Sequence, residues 1–213
     1  MGTIKQGVLG AFSGKVGTVI GSTWKGIAVM RGLPVGRKGS PTQTQIQQKA
    51  KFSLMIKFLQ PLTSLLNLTF DSLAVGMSGI NKAFSYNLQN AVTGVYPALT
   101  VDYQMVLLSR GDLPVPGAPA ATSTVAGKVA FNWTDNSGLG KALPTDIAFV
   151  AIFCEALGHW IYNQSTAATR NAGTYILDTP AFSGKPVQTY LGFVSANGKT
   201  YSNTVYTGVV NVL

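Results

Sequence analysis

The chain of 213 residues contains one cysteine, one histidine and seven carboxylate side chains. Each scarcity excludes something. One cysteine rules out an internal disulfide and a thiolate metal cluster, and one histidine rules out every two-histidine metal site. Seven acids, with Glu155 the sole glutamate, leave little material for a paired-carboxylate catalytic centre. No stretch reaches the 18 or so uninterrupted apolar residues of a membrane-spanning helix. Charged residues make up only 11% of the chain against 46% hydrophobic ones, a balance that builds a packed core and excludes disorder of the whole. The length suits one large domain or two small ones.

What charge there is sits unevenly. Asp71 is the first carboxylate, and before it stand Lys5, Lys15, Lys25, Arg31, Arg37, Lys38, Lys49, Lys51 and Lys57. Residues 71–213 carry seven groups of each sign, so the net charge of +9 belongs to the first third. Ten of the 24 glycines fall within the first 40 residues, and Pro114, Pro116 and Pro119 cluster later, shifts that mark separate structural units. Lys5, Val8, Leu9, Ala11 and Phe12 begin like a secretory leader, but Gly7, Gly10, Gly14 and Lys15 break it. Gly2 lacks the Ser or Thr that myristoylation needs, since Gln6 stands there. The expectation is synthesis in the cytoplasm, with which the lone Cys154 agrees. The final location, a virion-like or surface assembly included, stays open.

Glycines 7, 10, 14, 17 and 21 would form a smooth stripe on a helix, but each costs about 1 kcal/mol there relative to alanine. Strands are the preferred reading: Val8 to Phe12, a turn at Ser13–Lys15, then Val16 to Arg31, rich in Val, Ile, Thr and Trp. Ser40-Pro41-Thr42-Gln43 starts a helix, with Ile46, Ala50, Leu54 and Phe58 on one face and Phe52, Met55, Ile56 and Leu59 widening it. Pro61 ends or kinks it. A shorter helix is expected over 62–68 and a second amphipathic one over 79–92, with the ribbon as common partner of the two long helices. Val101 to Leu108 reads as a further strand.

Residues 111–122, with three prolines, read as a semi-rigid linker. Beyond them come short strands and turns: Val129, Phe131 and Trp133 alternating with polar or small residues, the apolar run Ile147–Cys154, then 159–162, 174–178, 187–195 and 200–212, with Asn197-Gly198 as a tight turn. The run Tyr190 to Ser202 resembles the last hairpin of fibronectin type III domains, and Trp133 resembles their early core tryptophan. Gly14 to Gly21, Trp24-Lys25-Gly26, Arg31-Gly32-Leu33-Pro34, Lys51-Phe52, Lys57 to Pro61 and Leu107 to Leu113 together resemble an uncharacterised family of small Bacteroidota proteins, a domain of unknown function. That resemblance implies no catalytic or binding residues.

The expected fold class is therefore an α+β N-terminal module, a glycine-rich β-ribbon plus two amphipathic helices over 1–110, followed after the linker by an all-β immunoglobulin/fibronectin III-like sandwich over 123–213. Cys154, Glu155 and His159 invite a catalytic reading, but a regular strand points Cys154 and Glu155 to opposite faces and the apolar run makes Cys154 a core residue. Gly10 to Lys15 looks like a phosphate loop until Val16, which stands where a magnesium-binding hydroxyl is required. No enzyme activity, cofactor or metal is expected. The leading reading is a non-enzymatic structural, assembly or protein-interaction protein, self-associating or binding another protein by strand addition to the ribbon. The alternative is a nucleic-acid or polyanion binder using the basic residues of 1–57. Both use the same contact set: Lys5, Lys15, Trp24, Lys25, Arg31, Arg37 and Lys38.

Overall fold

A computed structural model of the chain describes residues 2–4, 10–24, 26–36, 39–163 and 168–213. It divides into two compact units, Met1–Thr42 and Gln43–Leu213. The boundary thus falls near residue 42, not at the expected linker.

In the smaller unit, β1 (Thr3–Ile4), β2 (Phe12–Val16), β3 (Val19–Trp24) and β4 (Ile27–Gly32) form one antiparallel sheet in sequence order. Glycine chemistry places the turns. Gly17 at φ +58° and Gly26 at φ +81° occupy the left-handed region that tight hairpins between β2, β3 and β4 require. The first turn is therefore at Gly17-Thr18, while the expected turn Ser13–Lys15 lies within β2. The strand expected from Val8 starts outside the described residues. Phe12 lies across Gly21, where a β-carbon would come within 2.6 Å of the ring.

The larger unit begins with α1 (Gln43–Leu59), which stops just before Pro61; a 3-10 turn over Gln60–Leu62 leads into α2 (Thr63–Thr69). Then come α3 (Gly79–Asn90), the hairpin β5 (Val92–Val95) and β6 (Ala98–Val101), and a 3-10 turn over Tyr103–Met105 where a strand to Leu108 was expected. Gly79 lets α3 approach α2 closely, because a β-carbon would stand 2.6 Å from the Leu66 carbonyl oxygen. The Asn67 side chain accepts from the Ile80 N–H at 3.0 Å at the same junction.

The remaining strands make two antiparallel sheets. One has the order β10 (His159–Asn163), β9 (Ile147–Cys154), β12 (Pro186–Val194), β13 (Val205–Asn211); the other β11 (Thr174–Asp178), β8 (Lys128–Thr134), β7 (Gly117–Thr122). Half of the expected linker is thus strand β7, and Leu113 before it is buried. Expected turns hold at Asn197-Gly198, where Asn197 Oδ1 accepts from the Lys199 N–H at 2.9 Å and Gly198 has φ +71°.

Strand β9 explains how the layers stack. Ala148, Val150, Ile152 and Cys154 enter the core between the two sheets, with Val129, Phe131, Trp133, Leu191 and Phe193. Phe149, Ala151 and Phe153, pointing the other way, share a second core with Met55, Phe58, Leu59, Leu62, Leu65 and Leu66 of the helices. An apolar residue at every position is what a strand buried on both faces needs. The helices therefore pack on the sandwich, and the expectation that the ribbon is their common partner is corrected. Polar contacts fix this layer: Trp160 Nε1–H donates to the Phe58 carbonyl at 2.9 Å and Tyr190 O–H to the Tyr103 carbonyl at 2.9 Å. Asn87, fully buried, donates to the Leu107 carbonyl and accepts from the Leu107 N–H, both at 2.9 Å.

Arg170 closes one end of the sandwich. Its fully buried side chain donates from Nε to Asp146 Oδ2 at 3.1 Å, from Nη2 to the Pro114 carbonyl at 3.0 Å and from Nη1 to Asn136, and lies 3.8 Å over the Phe193 ring. Its own carbonyl accepts from Trp133 Nε1–H at 2.7 Å. Removing one member of a buried ion pair leaves the other charge unpaired. Arg170→Met is expected to cost about 3–5 kcal/mol in denaturant unfolding, and Arg170→Met with Asp146→Leu measurably less than the single change; a double-variant loss equal to the sum of the two single losses would show that the pair is not coupled.

Candidate functional site: an uncovered basic sheet

Of the seven expected contact residues, Lys5, Lys25, Arg37 and Lys38 lie outside the described residues, and Lys15, Trp24 and Arg31 lie in the small sheet. The strand register brings these three to one face. Lys15 pairs with Ile20 and Ile20 with Arg31, so the two cations flank an isoleucine in one row, about 10 Å apart at the backbone. Trp24 stands four residues beyond Ile20 on the same strand and face, opposite Ile27. All three are exposed.

Ile27 and Val29 extend this face, opposite Trp24 and Ser22, while Met30, opposite Gly21, stands exposed on the other face. Every residue of β4 is exposed, with Ile27 at 65% and Met30 at 71%. Among the described residues of the smaller unit only Gly21 is buried, and every residue of both hydrophobic cores comes from position 55 onward. The signal was present in Ile27-Ala28-Val29-Met30, four apolar residues without the alternation that a half-buried strand shows. Strand β4 ends the sheet order, and among the described residues no strand pairs with its far side. The other face carries an open groove of about 440 Å³ beside Phe12, Thr23 and Ala28.

The catalytic alternative finds no assembled site among the described residues. Cys154 is fully buried between the sheets, whereas Glu155 and His159 are exposed. The carboxylate of Glu155 instead acts on the Tyr103 hydroxyl beside the helices. No group of three or more His, Cys, Asp or Glu side chains gathers among the described residues, and no helix there is long and apolar enough to cross a membrane.

Two sheets packed face to face, with helices on the outer side of the larger one, define a β-sandwich protein with an added helical layer. Residues 11–208 match the model of a family of unknown function, DUF6266, and the chain belongs to that family. No curated protein matches it. It is similar to solved fibronectin type III structures: the FN1–FN3 domains of chicken CNTN1, at 13% identity and a TM-score of 0.38 over 47% of this chain and 34% of that one, and the fn3 domain of the human collagen alpha-1(XX) chain, at 15% and 0.35 over 47% and 87%. The chain thus spans about a third of the first of these structures.

Burial, and then the negative charge of Glu155, push the Tyr103 hydroxyl up to about 12, and burial raises Tyr190 as well. A tyrosine of the unfolded chain ionises near 10. Between these values the unfolded state binds fewer protons than the folded one, so stability is intact below about pH 10 and falls above it. Denaturant midpoints at pH 8, 10 and 11 are expected to decline only after pH 10, and Tyr103→Phe to flatten that decline; an unchanged slope in the variant would contradict the assignment.

Proposed function

We propose that the protein is a non-enzymatic assembly or interaction protein that engages its partner through the sheet of residues 3–32. One observation carries this reading: β4 is exposed at all six positions, on a sheet where only Gly21 is buried among the described residues. A hydrophobic edge strand is a template for pairing with another chain, and soluble proteins ordinarily blunt or cover it. Burying an aliphatic or aromatic side chain contributes about 1.5–3 kcal/mol, so Trp24, Ile27, Val29 and Met30 supply a driving force that the sheet does not use internally. The larger unit, by contrast, closes both of its cores. Strand addition uses the main chain for affinity and alternate side chains for selection.

The hydrogen-bond phase says which amides take part. Leu33 N–H donates to the Thr18 carbonyl at 2.7 Å. Alternation along β4 then turns the N–H groups of Ile27, Val29 and Arg31 toward β3 and those of Ala28, Met30 and Gly32 outward. Met30→Pro removes one outward donor and no bond to β3. In the full chain it is expected to abolish complex formation, read by size-exclusion chromatography with light scattering, while leaving the thermal unfolding midpoint of the larger unit in place. A compact monomer at high concentration, with any partner still captured by the variant, would contradict strand addition.

A second reading, binding of a nucleic acid or another polyanion, is favoured by the single-face placement of Lys15, Arg31 and the exposed Trp24. Cations grip phosphates while an aromatic face stacks on bases. With about six phosphates contacted, the logarithm of the affinity for duplex DNA should fall against the logarithm of salt with a slope of about −5. No binding at low salt, or a slope near zero, would remove this reading.

A further inference from the structure

We propose that the partner strand of β4 is β4 of a second copy of this chain, antiparallel, with Val29 opposite Val29 on a twofold axis. This rests on the assembly reading above. Three features of the sheet select it.

The first is the inequality of the two edges. Among the described residues strand β1 is two residues long and β4 is six. Head-to-tail addition of β4 to β1 finds two ladder positions among the described residues, whereas β4 against β4 pairs from Ile27 through Arg31. A closed twofold contact is therefore favoured over an open filament.

The second is the placement of charge. Arg31 is the only charged residue of β4 and stands near its end. Directly opposed residues of an antiparallel pair share a face, so the symmetric registers open to this strand centre on Ala28, Val29, Met30 or Arg31, and centring on Ala28 opposes only Ile27–Val29. Centring on Arg31 sets two guanidinium groups directly opposite, which is unfavourable. Centring on Met30 places each Arg31 opposite the other copy's Val29, and the two arginines become diagonal neighbours about 7–8 Å apart. Centring on Val29 places each Arg31 opposite Ile27 and separates the arginines by four residues, about 14 Å along the strand. The methylene stem of Arg31 then covers Ile27 while its charged end stays in water.

The third is continuity of the apolar face. Trp24 pairs with Ile27 and Ser22 with Val29 inside one copy. In the Val29 register the valines meet at the centre, and an Ile27–Trp24 pair flanks them on each side. The outward amides agree with this register. Ala28 and Met30, which turn their N–H and C=O groups to the open edge, come to lie opposite one another as a hydrogen-bonded pair. The central valines form a non-hydrogen-bonded pair with α-carbons about 4.5 Å apart.

That spacing permits a disulfide. The full chain carrying Val29→Cys is expected to form a covalent dimer on mild oxidation, since Cys154 is fully buried. Ile27→Cys alone should stay monomeric on a non-reducing gel and crosslink when mixed with Arg31→Cys. Self-association of the unaltered chain should strengthen at least several-fold between 50 and 500 mM NaCl, two concentrations chosen about a decade apart to span strong and weak screening. The direction follows because each copy brings Lys5, Lys15, Lys25, Arg31, Arg37 and Lys38 and no acid from residues 1–42; polyanion binding would weaken over the same range. Val29→Lys, which leaves the backbone bonds to β3 intact, should abolish the dimer. Crosslinking through Met30→Cys but not Val29→Cys would overturn the register, and a monomer without crosslinks at either salt concentration would overturn self-pairing. In that last case, loss of a co-purifying partner on Met30→Pro would leave the assembly reading standing, and retention of that partner would remove it too.

Discussion

The burial of β9 on both faces is the constraint on which the larger unit depends. A strand with one wet face alternates, and Ile147–Cys154 does not. Once its inner side chains fill the space between the two sheets, Phe149 and Phe153 are left on the outer side and must be covered. The helices supply that cover. Phe58 meets Phe153 and Trp160 edge-on at 4.9 and 5.0 Å, and Trp160 in turn donates to the backbone of the helix that brings Phe58. Gly192 follows from the same packing, because a β-carbon there would stand 2.3 Å from the Phe149 ring. Residues 43–213 therefore share their two cores and cannot be divided between a helical module and a sandwich.

The smaller unit has the opposite character. Its turns are well determined by Gly17 and Gly26, and its register is regular from β2 to β4. Among the described residues it has no core. Three or more strands need an apolar face packed on something to be stable alone, and here the apolar side chains of β4 stand in solvent. The net charge gains meaning from this contrast. Positive charge concentrated on a thin sheet opposes association at a distance and makes it salt-dependent, while Ile27, Val29 and Met30 favour it at contact. Lys15 and Arg31 are therefore best understood together with the uncovered strand between and beside them.

Much of this was legible in the residues, and the failures share a cause. Val129, Phe131 and Trp133 alternate, and they line the core between the sheets; Asn197-Gly198 announces a turn, and a turn is there. The helix ending before Pro61 was equally plain. Periodicity, however, reports that a face is buried without naming what covers it, and the partner of Phe58 and Leu59 is the outer face of β9 and not the ribbon. Proline density suggested a linker at 111–122, yet Pro119 is accommodated in β7, at the outer edge of its sheet. Arg170 gave no local sign, since its importance comes from Pro114, the β8–β9 loop residues Asn136 and Asp146, and Phe193 converging from three separate segments. Composition favours a turn at Ser13–Lys15 and the chain turns at Gly17-Thr18, because glycines mark permissive positions and only pairing decides among them. At the candidate site, Lys15, Trp24 and Arg31 were visible as residue types, but their common face required the register, and the apolar edge beside them required knowing that nothing described covers it.

The central claim is that the outward edge of β4 is the contact surface, and amide hydrogen exchange measured residue by residue tests it most directly. In dilute protein the N–H groups of Ala28, Met30 and Gly32 should exchange fast while those of Val29 and Arg31, bonded to β3, exchange more slowly. On complex formation, whatever the partner, protection should rise at Ala28, Met30 and Gly32. Fast exchange at these three amides in the formed complex, with protection arising elsewhere, would contradict it.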